Sequence, residues 1–273
     1  MTWEETIKYI QHHPSYTSLV RNTYIDSNLA ANVERFRTGA EFKETHSLLN
    51  EYVQLPPIKL LDIGAGNGIA GIAFALLGYE VTSVEPDESN TIGRGAIQTI
   101  AEEYQLNNLT IVNGFGEKLP FENETFDVVY IRQALHHAQD LPLFVKEASR
   151  VLKKQGIMLT LRDHVIKSEQ DKKKFLARHP LHRYYGGENA FRLSEYQGAF
   201  AKAGLEVLKQ LSPSSSVINY DPWSKTQLKQ YITAKMGAWA GSQPWLLSFA
   251  WYLSLIRKEH IPGKLYSFVL RKK

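Results

Sequence analysis

No cysteine occurs anywhere in the sequence. That excludes disulfides, thiolate metal sites and a cysteine nucleophile, and it leaves the redox compartment open. Long apolar runs are missing too. The most apolar stretch, Trp245–Ile256, has twelve residues, against about 20 for a bilayer-spanning helix. The opening MTWEETIKYIQHHPSY is polar and has no apolar h-region, so no signal peptide is expected and a cytoplasmic location is. Charge of one sign is weak: the net charge is +4, too little to point to nucleic acid as a partner. Neither an internal repeat nor a low-complexity linker is present. What remains is a globular composition, 43% hydrophobic and 22% charged over 273 residues, enough for one large domain or two small ones.

Strand-like and helix-like segments alternate through the middle of the chain. IKLLDI (Ile58–Ile63) is a short apolar run ended by glycines, which reads as a buried strand. Ile69–Gly78 reads as a helix stopped by its glycine. Strands follow at Tyr79–Glu85, Leu109–Gly114, Phe126–Ala134, Gly156–Asp163, Leu205–Leu211 and Lys264–Lys273. Helices are expected over Glu88–Leu106, Leu141–Gly156 and Leu193–Leu205, the last with Ser194 as its N-cap. Repeated strand–helix units imply a mainly parallel sheet with helices on both faces. Three segments fall outside the alternation: residues 1–50, Asp163–Phe191 and about 213–263. Each is a candidate lid over one edge of the sheet.

The first strand runs into Gly-Ala-Gly-Asn-Gly at residues 64–68. Gly64 and Gly66 permit a tight turn and close approach of a ligand, and the helix that follows offers free N–H groups. Glu85 ends the second strand, 23 residues after Asp62. A carboxylate there can accept two hydrogen bonds from a ribose diol. A dinucleotide enzyme shares these features. The spacing here is GxGxG, however, with Ile69 in the third glycine's place. Asp62 would also repel a pyrophosphate, whereas an ammonium group would suit it.

Four stretches taken together, LLDIGAGNG, VEPD, GEKLPFENETFDVVYIRQALHHAQD and EASRVLKKQGIMLTLRD, resemble class I S-adenosylmethionine-dependent methyltransferases, of the group acting on small molecules and lipids. The likeness runs from Ile58 to Leu211 with every motif in order. It implies a Rossmann-like, seven-stranded, mainly parallel sheet with the last strand antiparallel and helical lids. It further implies S-adenosylmethionine as cofactor. Asp62, Gly64, Ala65 and Gly66 would line its methionine part, Glu85 would hold the ribose and Pro86 would pack by the adenine. Phe115 stands where the family usually has an acid for the adenine amino group, so the backbone of Gly116 or the side chain of Glu117 would replace it. Arg132 and Gln133 would face the methyl group. On this reading the chain is a single domain: an arm (1–50), a cofactor half (51–162) and an acceptor half (163–273) carrying a helical insert at about 213–263.

Methyl transfer needs alignment, exclusion of water and, for a hydroxyl acceptor, a base. His164, Asp163 and His136 are the base candidates, at the carboxyl ends of the fifth and fourth strands. Tyr24, Arg35, His137, Arg183, Tyr184 and Tyr185 are candidate acceptor contacts; packing and solvated surface compete for all of them. No metal ligand set is assigned. The expected reaction is methylation of oxygen or nitrogen, ahead of carbon, on a small and lipophilic acceptor. The apolar insert and basic C-terminus leave peripheral membrane contact open. The alternatives are an NAD-dependent oxidoreductase and a non-catalytic scaffold that binds the cofactor. RNA methylation is disfavoured by the weak charge, and no NPPY-type motif follows the fourth strand.

Overall fold

The computed structural model describes residues 1–53, 58–213, 215–221, 245 and 263–273. The apolar run at β1 (Lys59–Ile63) is cut off by glycines and leads into α5 (Ile69–Ala75). The alternation continues with β2 (Glu80–Val84), α6 (Arg94–Glu103), β3 (Leu109–Val112), β4 (Phe126–Arg132), α7 (Leu141–Val151) and β5 (Leu152–Ile166). After α8 (Glu169–Arg178) and α9 (Pro180–Tyr184) come β6 (Phe191–Arg192), α10 (Leu193–Lys202), β7 (Leu205–Leu211), α11 (Val217–Tyr220) and β8 (Lys264–Lys272). The arm supplies α1 (Trp3–His12), α2 (Thr17–Asn22), α3 (Leu29–Thr38) and α4 (Ala40–Asn50).

The sheet order is β3-β2-β1-β4-β5-β8-β7, with β6 pairing β5 off this path. The pairs among β1 to β5 are parallel; β8 runs antiparallel to both β5 and β7. The sheet thus has eight strands, the extra one being the two-residue β6. Chain order reverses between β1 and β4, which makes their carboxyl ends the switch point where ligands bind in such sheets.

Period-two alternation builds the core. On β4, Val128 and Tyr130 face one apolar layer with Phe36, Phe42 and Phe74. Val129 and Ile131 face the other, with Val145, Ala148 and Phe200. Both faces of the sheet are therefore covered, and the strands read as continuous apolar runs for that reason.

Several boundaries differ from the sequence reading, and three of the differences have a clear local cause. Glu88–Gly93 is a turn, not helix: Asp87 Oδ1 accepts from Ser89 N, Ser89 Oγ from Ile92 N, and Asp87 O from Arg94 N. Helix α7 stops at Val151, because β5 already pairs with β4 at Leu152. The cap of α10 is Arg192, whose N donates to Glu195 Oε2 at 2.6 Å, rather than Ser194. Most of the insert at 213–263, with Trp223, Trp239 and Trp251, lies outside the described residues.

Candidate functional site

The loop after β1 adopts left-handed backbone at Gly64 (φ 70°) and Gly66 (φ 57°). A Cβ on Gly64 would lie 2.5 Å from that of Ala134, so β1 and β4 meet here only because Gly64 lacks one. A Cβ on Gly66 would meet nothing closer than Ile92 O at 3.8 Å, so that face of the loop is open. Ala65 N donates to Val84 O at 3.2 Å, pinning the turn to the end of β2.

Glu85 follows β2 and is 8% exposed. Its Oε2 accepts from Gly66 N at 2.7 Å and its Oε1 from Asp87 N at 2.9 Å. Burial pushes its pKa up to about 7 against the opposing pull of these two N–H groups. Asp62 is likewise buried, and burial raises it to about 7. Its Oδ2 lies against Gly71 at the start of α5, beneath the loop. Arg94, not singled out in the sequence, clamps the segment: its Nη1 donates to Glu85 O, Pro86 O and Asn113 Oδ1. Phe115 is 62% exposed and offers a free ring face. Gly116 has no space for a side chain, because a Cβ would fall 2.2 Å from the Phe144 ring. Glu117 Oε1 accepts from Gln139 N at 2.9 Å.

The arm closes on this edge. Asn67 Nδ2 donates to Tyr24 O at 2.7 Å, tying the glycine loop to the arm. Arg132, at the end of β4, donates from Nε and Nη2 to both oxygens of Glu41 on α4, at 2.6 and 2.9 Å. Arg162 joins at 3.5 Å from Glu41 Oε2 and donates to Ile218 O and Asp221 O. Burial would raise the Glu41 pKa, but the two arginines outweigh it and hold the group lowered. Arg132 and Arg35 lie over the Tyr24 ring at 5.7 and 5.3 Å. Gln133, in left-handed backbone (φ 51°), accepts from Arg132 Nη1. Tyr24 and Arg35 are thus brought to Arg132. Arg183, Tyr184 and Tyr185 are not. Tyr184 OH meets Tyr16 OH at 3.0 Å and Tyr185 packs on Trp3 at 5.0 Å, so both dock α9 on the arm, while Arg183 is exposed.

Histidines gather at the carboxyl ends of β4 and β5. His136 donates from its backbone N to Asp163 Oδ1 at 3.1 Å, and its Nδ1 meets the same oxygen at 3.0 Å. Its Nε2 lies 3.6 Å from Glu188 Oε2. Burial alone would lower the His136 pKa; Asp163 and Glu188 outweigh it and hold it at about 9. His164 is pushed well below the ordinary range by burial, and its Nδ1 meets Gly263 O at 2.8 Å. His137, half-exposed, meets Gly187 O at 3.0 Å. Glu188 and His179 were missed in the sequence. They sit in a segment that looked like an acceptor loop, and nothing local marks their proximity to His136. An open groove of about 440 Å³ between α7 and α10, lined by Leu141, Phe191, Glu195 and Lys202, holds none of these side chains.

An open glycine face beside a buried carboxylate, with an exposed aromatic ring on the same loop edge, fits a nucleoside carrying a ribose diol. Comparison with known proteins agrees. Residues 61–160 match the family described as a methyltransferase domain. An uncharacterized methyltransferase, YcgJ of Bacillus subtilis, is 30% identical over 167 residues, covering 61% of this chain and 64% of its own. A ubiquinone biosynthesis O-methyltransferase of Pelagibacter ubique is 31% identical over 105 residues, covering 38% of this chain and 41% of its own. The chain thus spans less than two-thirds of either relative. A solved structure of geranyl diphosphate C-methyltransferase from Streptomyces coelicolor A3(2), in complex with Mg2+, geranyl diphosphate and S-adenosyl-L-homocysteine, superposes with a TM-score of 0.63. It covers 97% of this chain and 87% of its own at 13% identity, a likeness of fold alone. Its motifs, its sheet order and the methyltransferase-domain match over residues 61–160 agree in likening the chain to the class I S-adenosylmethionine-dependent methyltransferases.

Proposed function

We propose that this chain, acting as one domain, transfers a methyl group to an oxygen or nitrogen of a small lipophilic acceptor. The observation that carries the cofactor half of this reading is the buried Glu85 carboxylate fixed against the open face of Gly66. When bound, S-adenosylmethionine supplies a methyl on a sulfonium, displaced in line by the acceptor's lone pair while the carbon–sulfur pair stays on sulfur.

The chain's own residues hold the reactants and keep water out. Glu85 has lone pairs left beyond its two backbone bonds and accepts from ribose hydroxyls. Gly64, Ala65 and Gly66 present backbone to the methionine part, and Asp62 beneath them counters its ammonium charge. Pro86, Phe115, Gly116 and Glu117 border the adenine. Arg132, fixed by Glu41, and Gln133, held by Arg132, set the wall beside the methyl group. The arm covers the loop through the Asn67–Tyr24 bond and excludes water. A hydroxyl acceptor loses its proton at the edge where His136, His164 and Asp163 gather. His137, Tyr24 and Arg35 stand on the acceptor side of the edge.

A lipophilic acceptor is supported by the names of relatives: one acts in ubiquinone biosynthesis and another is a sterol 24-C-methyltransferase. The second name keeps carbon among the acceptor atoms to be tried. No finding points to a nicotinamide cofactor. The test is incubation with S-adenosylmethionine labelled in its methyl group and a panel of lipophilic phenols, quinols and amines. Label in an organic-soluble product that Glu85→Ala does not form supports the reading. Cofactor binding with no transfer to any member would favour the scaffold alternative.

A further inference from the structure

Four histidines and one carboxylate converge where β5, the loop after β4 and the α8–α9 turn meet. One ring nitrogen each of His136 and His164 and one oxygen of Glu188 lie within 4.8 Å of one another. His179 Nδ1 lies 3.6 Å from Glu188 Oε1, and His137 Nε2 lies 4.0 Å from Glu188 Oε2. We propose that this cluster is a binding site for a divalent first-row transition metal ion, held by His136, His164 and Glu188 with His179 as a further ligand.

The second layer around the cluster is what separates it from a casual group of histidines. Metal-bound imidazoles usually give their other ring N–H to a carboxylate or a backbone carbonyl, which fixes the tautomer and aims the ligating nitrogen. Here His136 Nδ1 is held by Asp163, His164 Nδ1 by Gly263 O and His137 Nδ1 by Gly187 O. In each the remaining Nε2 is the nitrogen left to ligate. Glu188 is 5% exposed at its side chain, yet Oε2 has no hydrogen bond among the described residues, and neither has His179 Nδ1. Buried polar atoms are rarely left so.

A purely structural ion pair would need one imidazolium between Asp163 and Glu188. His164 and His179 would then be superfluous, and a second charge beside His136 would be repelled. A dication satisfies the set as a whole. Imidazole nitrogens with a carboxylate suit zinc, iron, cobalt or nickel, whereas magnesium and calcium prefer all-oxygen sites. Bonds of about 2.0–2.2 Å set tetrahedral ligands about 3.4 Å apart, so the three donors need close in by little more than about 1 Å. With His136, His164 and Glu188 alone, a fourth tetrahedral position stays open to an oxygen from water or an acceptor; His179 as fourth ligand closes it. Ion binding at this cluster does not depend on which atom of an acceptor is methylated.

The test uses the full chain, stripped by a chelator and returned to chelator-free buffer. Titration with CoCl2 should give one equivalent of visible absorption typical of bound Co2+, displaced by ZnCl2 and untouched by millimolar MgCl2. Glu188→Gln and His164→Ala should each weaken Co2+ binding at least 100-fold. Both should still bind S-adenosylhomocysteine, which shows that they fold and keeps this test separate from that of the methyltransferase reading. Absence of stoichiometric Co2+ and Zn2+ binding in the wild-type chain would overturn the proposal. So would equal binding by both variants, which would assign the ion to other histidines and leave an ion pair only.

Discussion

Two buried carboxyl groups beside the glycine loop set the behaviour of the site with pH. Asp62 and Glu85 both sit near 7 in the folded chain, raised chiefly by burial. Arg132 pulls Asp62 down and Glu85 pushes it up; Arg94 and Asp87 do the same for Glu85. In the unfolded chain such groups titrate near 4. Between those values the folded state binds more protons, so stability falls as pH rises through that window and stays lost above it. Urea unfolding of the ligand-free chain at pH 5 and pH 8 measures this, with a slope of up to about 1.4 kcal/mol per pH unit for each group. The Asp62→Asn, Glu85→Gln double variant should show a smaller difference between the two pH values. An unchanged difference would show that neither group is raised. Binding should run the opposite way: a ribose diol favours ionised Glu85 and an ammonium group favours ionised Asp62, so affinity for S-adenosylhomocysteine should rise from pH 6 to pH 8 in the wild type, less in Glu85→Gln, and stay nearly flat in the double variant. Glu41 offers a second test at this scale. Removing its charge leaves Arg132 buried without a charged partner, which costs about 3–5 kcal/mol. Glu41→Gln should therefore lower the urea midpoint sharply, and Glu41→Leu combined with Arg132→Met should recover much of the loss.

Among the elements, the arm is the one whose position matters to the site. Its inner helices α3 and α4 pack Phe36 and Phe42 into the main core and pair Glu41 with Arg132, whereas its outer part is held through Asn67–Tyr24, Tyr16–Tyr184 and a small apolar cluster of Ile7, Ile10, Val20 and Ile25 with Ile92. The outer contacts are few, so α1 and α2 belong to the part that opens first. Tyr184→Ala should speed amide exchange over residues 3–22 at least tenfold, while global stability changes by about 1 kcal/mol or less. Unaltered protection there would mean that α9 does not hold the arm. The elements were legible in the sequence where they bury an apolar face: β1, α5, β2 and β4 follow directly from their apolar periods. Legibility failed where a local bond outweighs propensity. ESNTIG has helical neighbours, yet Asp87 and Ser89 cap it into a turn. VLKKQG carries the basic residues of a helix end, yet pairing with Phe126 draws Leu152 into β5. Glu188 carries no local signature at all, because its partners His136 and His164 reach it only through the folded sheet.

For the whole molecule, the reversal of strand order between β1 and β4 puts the glycine loop, Glu85, Arg132 and the histidine cluster on one edge. The position of that edge could be read from the order of strands and helices in the sequence. The chemistry along it divides in two: the side proposed for the cofactor is marked by short local motifs, whereas the side proposed for the acceptor is assembled from the arm, α8 and the loop at 186–190. That is why the cofactor could be named from the sequence and the acceptor could not. The central claim is that this edge binds the nucleoside of S-adenosylmethionine through Glu85. Isothermal titration of the wild-type chain and of Glu85→Ala with S-adenosylhomocysteine, and of the wild type with NAD, tests it most directly. One equivalent of S-adenosylhomocysteine should bind the wild type, binding should weaken at least tenfold in a folded Glu85→Ala variant, and NAD should give no heat. Binding of NAD in place of S-adenosylhomocysteine, or undiminished binding without the Glu85 carboxylate, would contradict it.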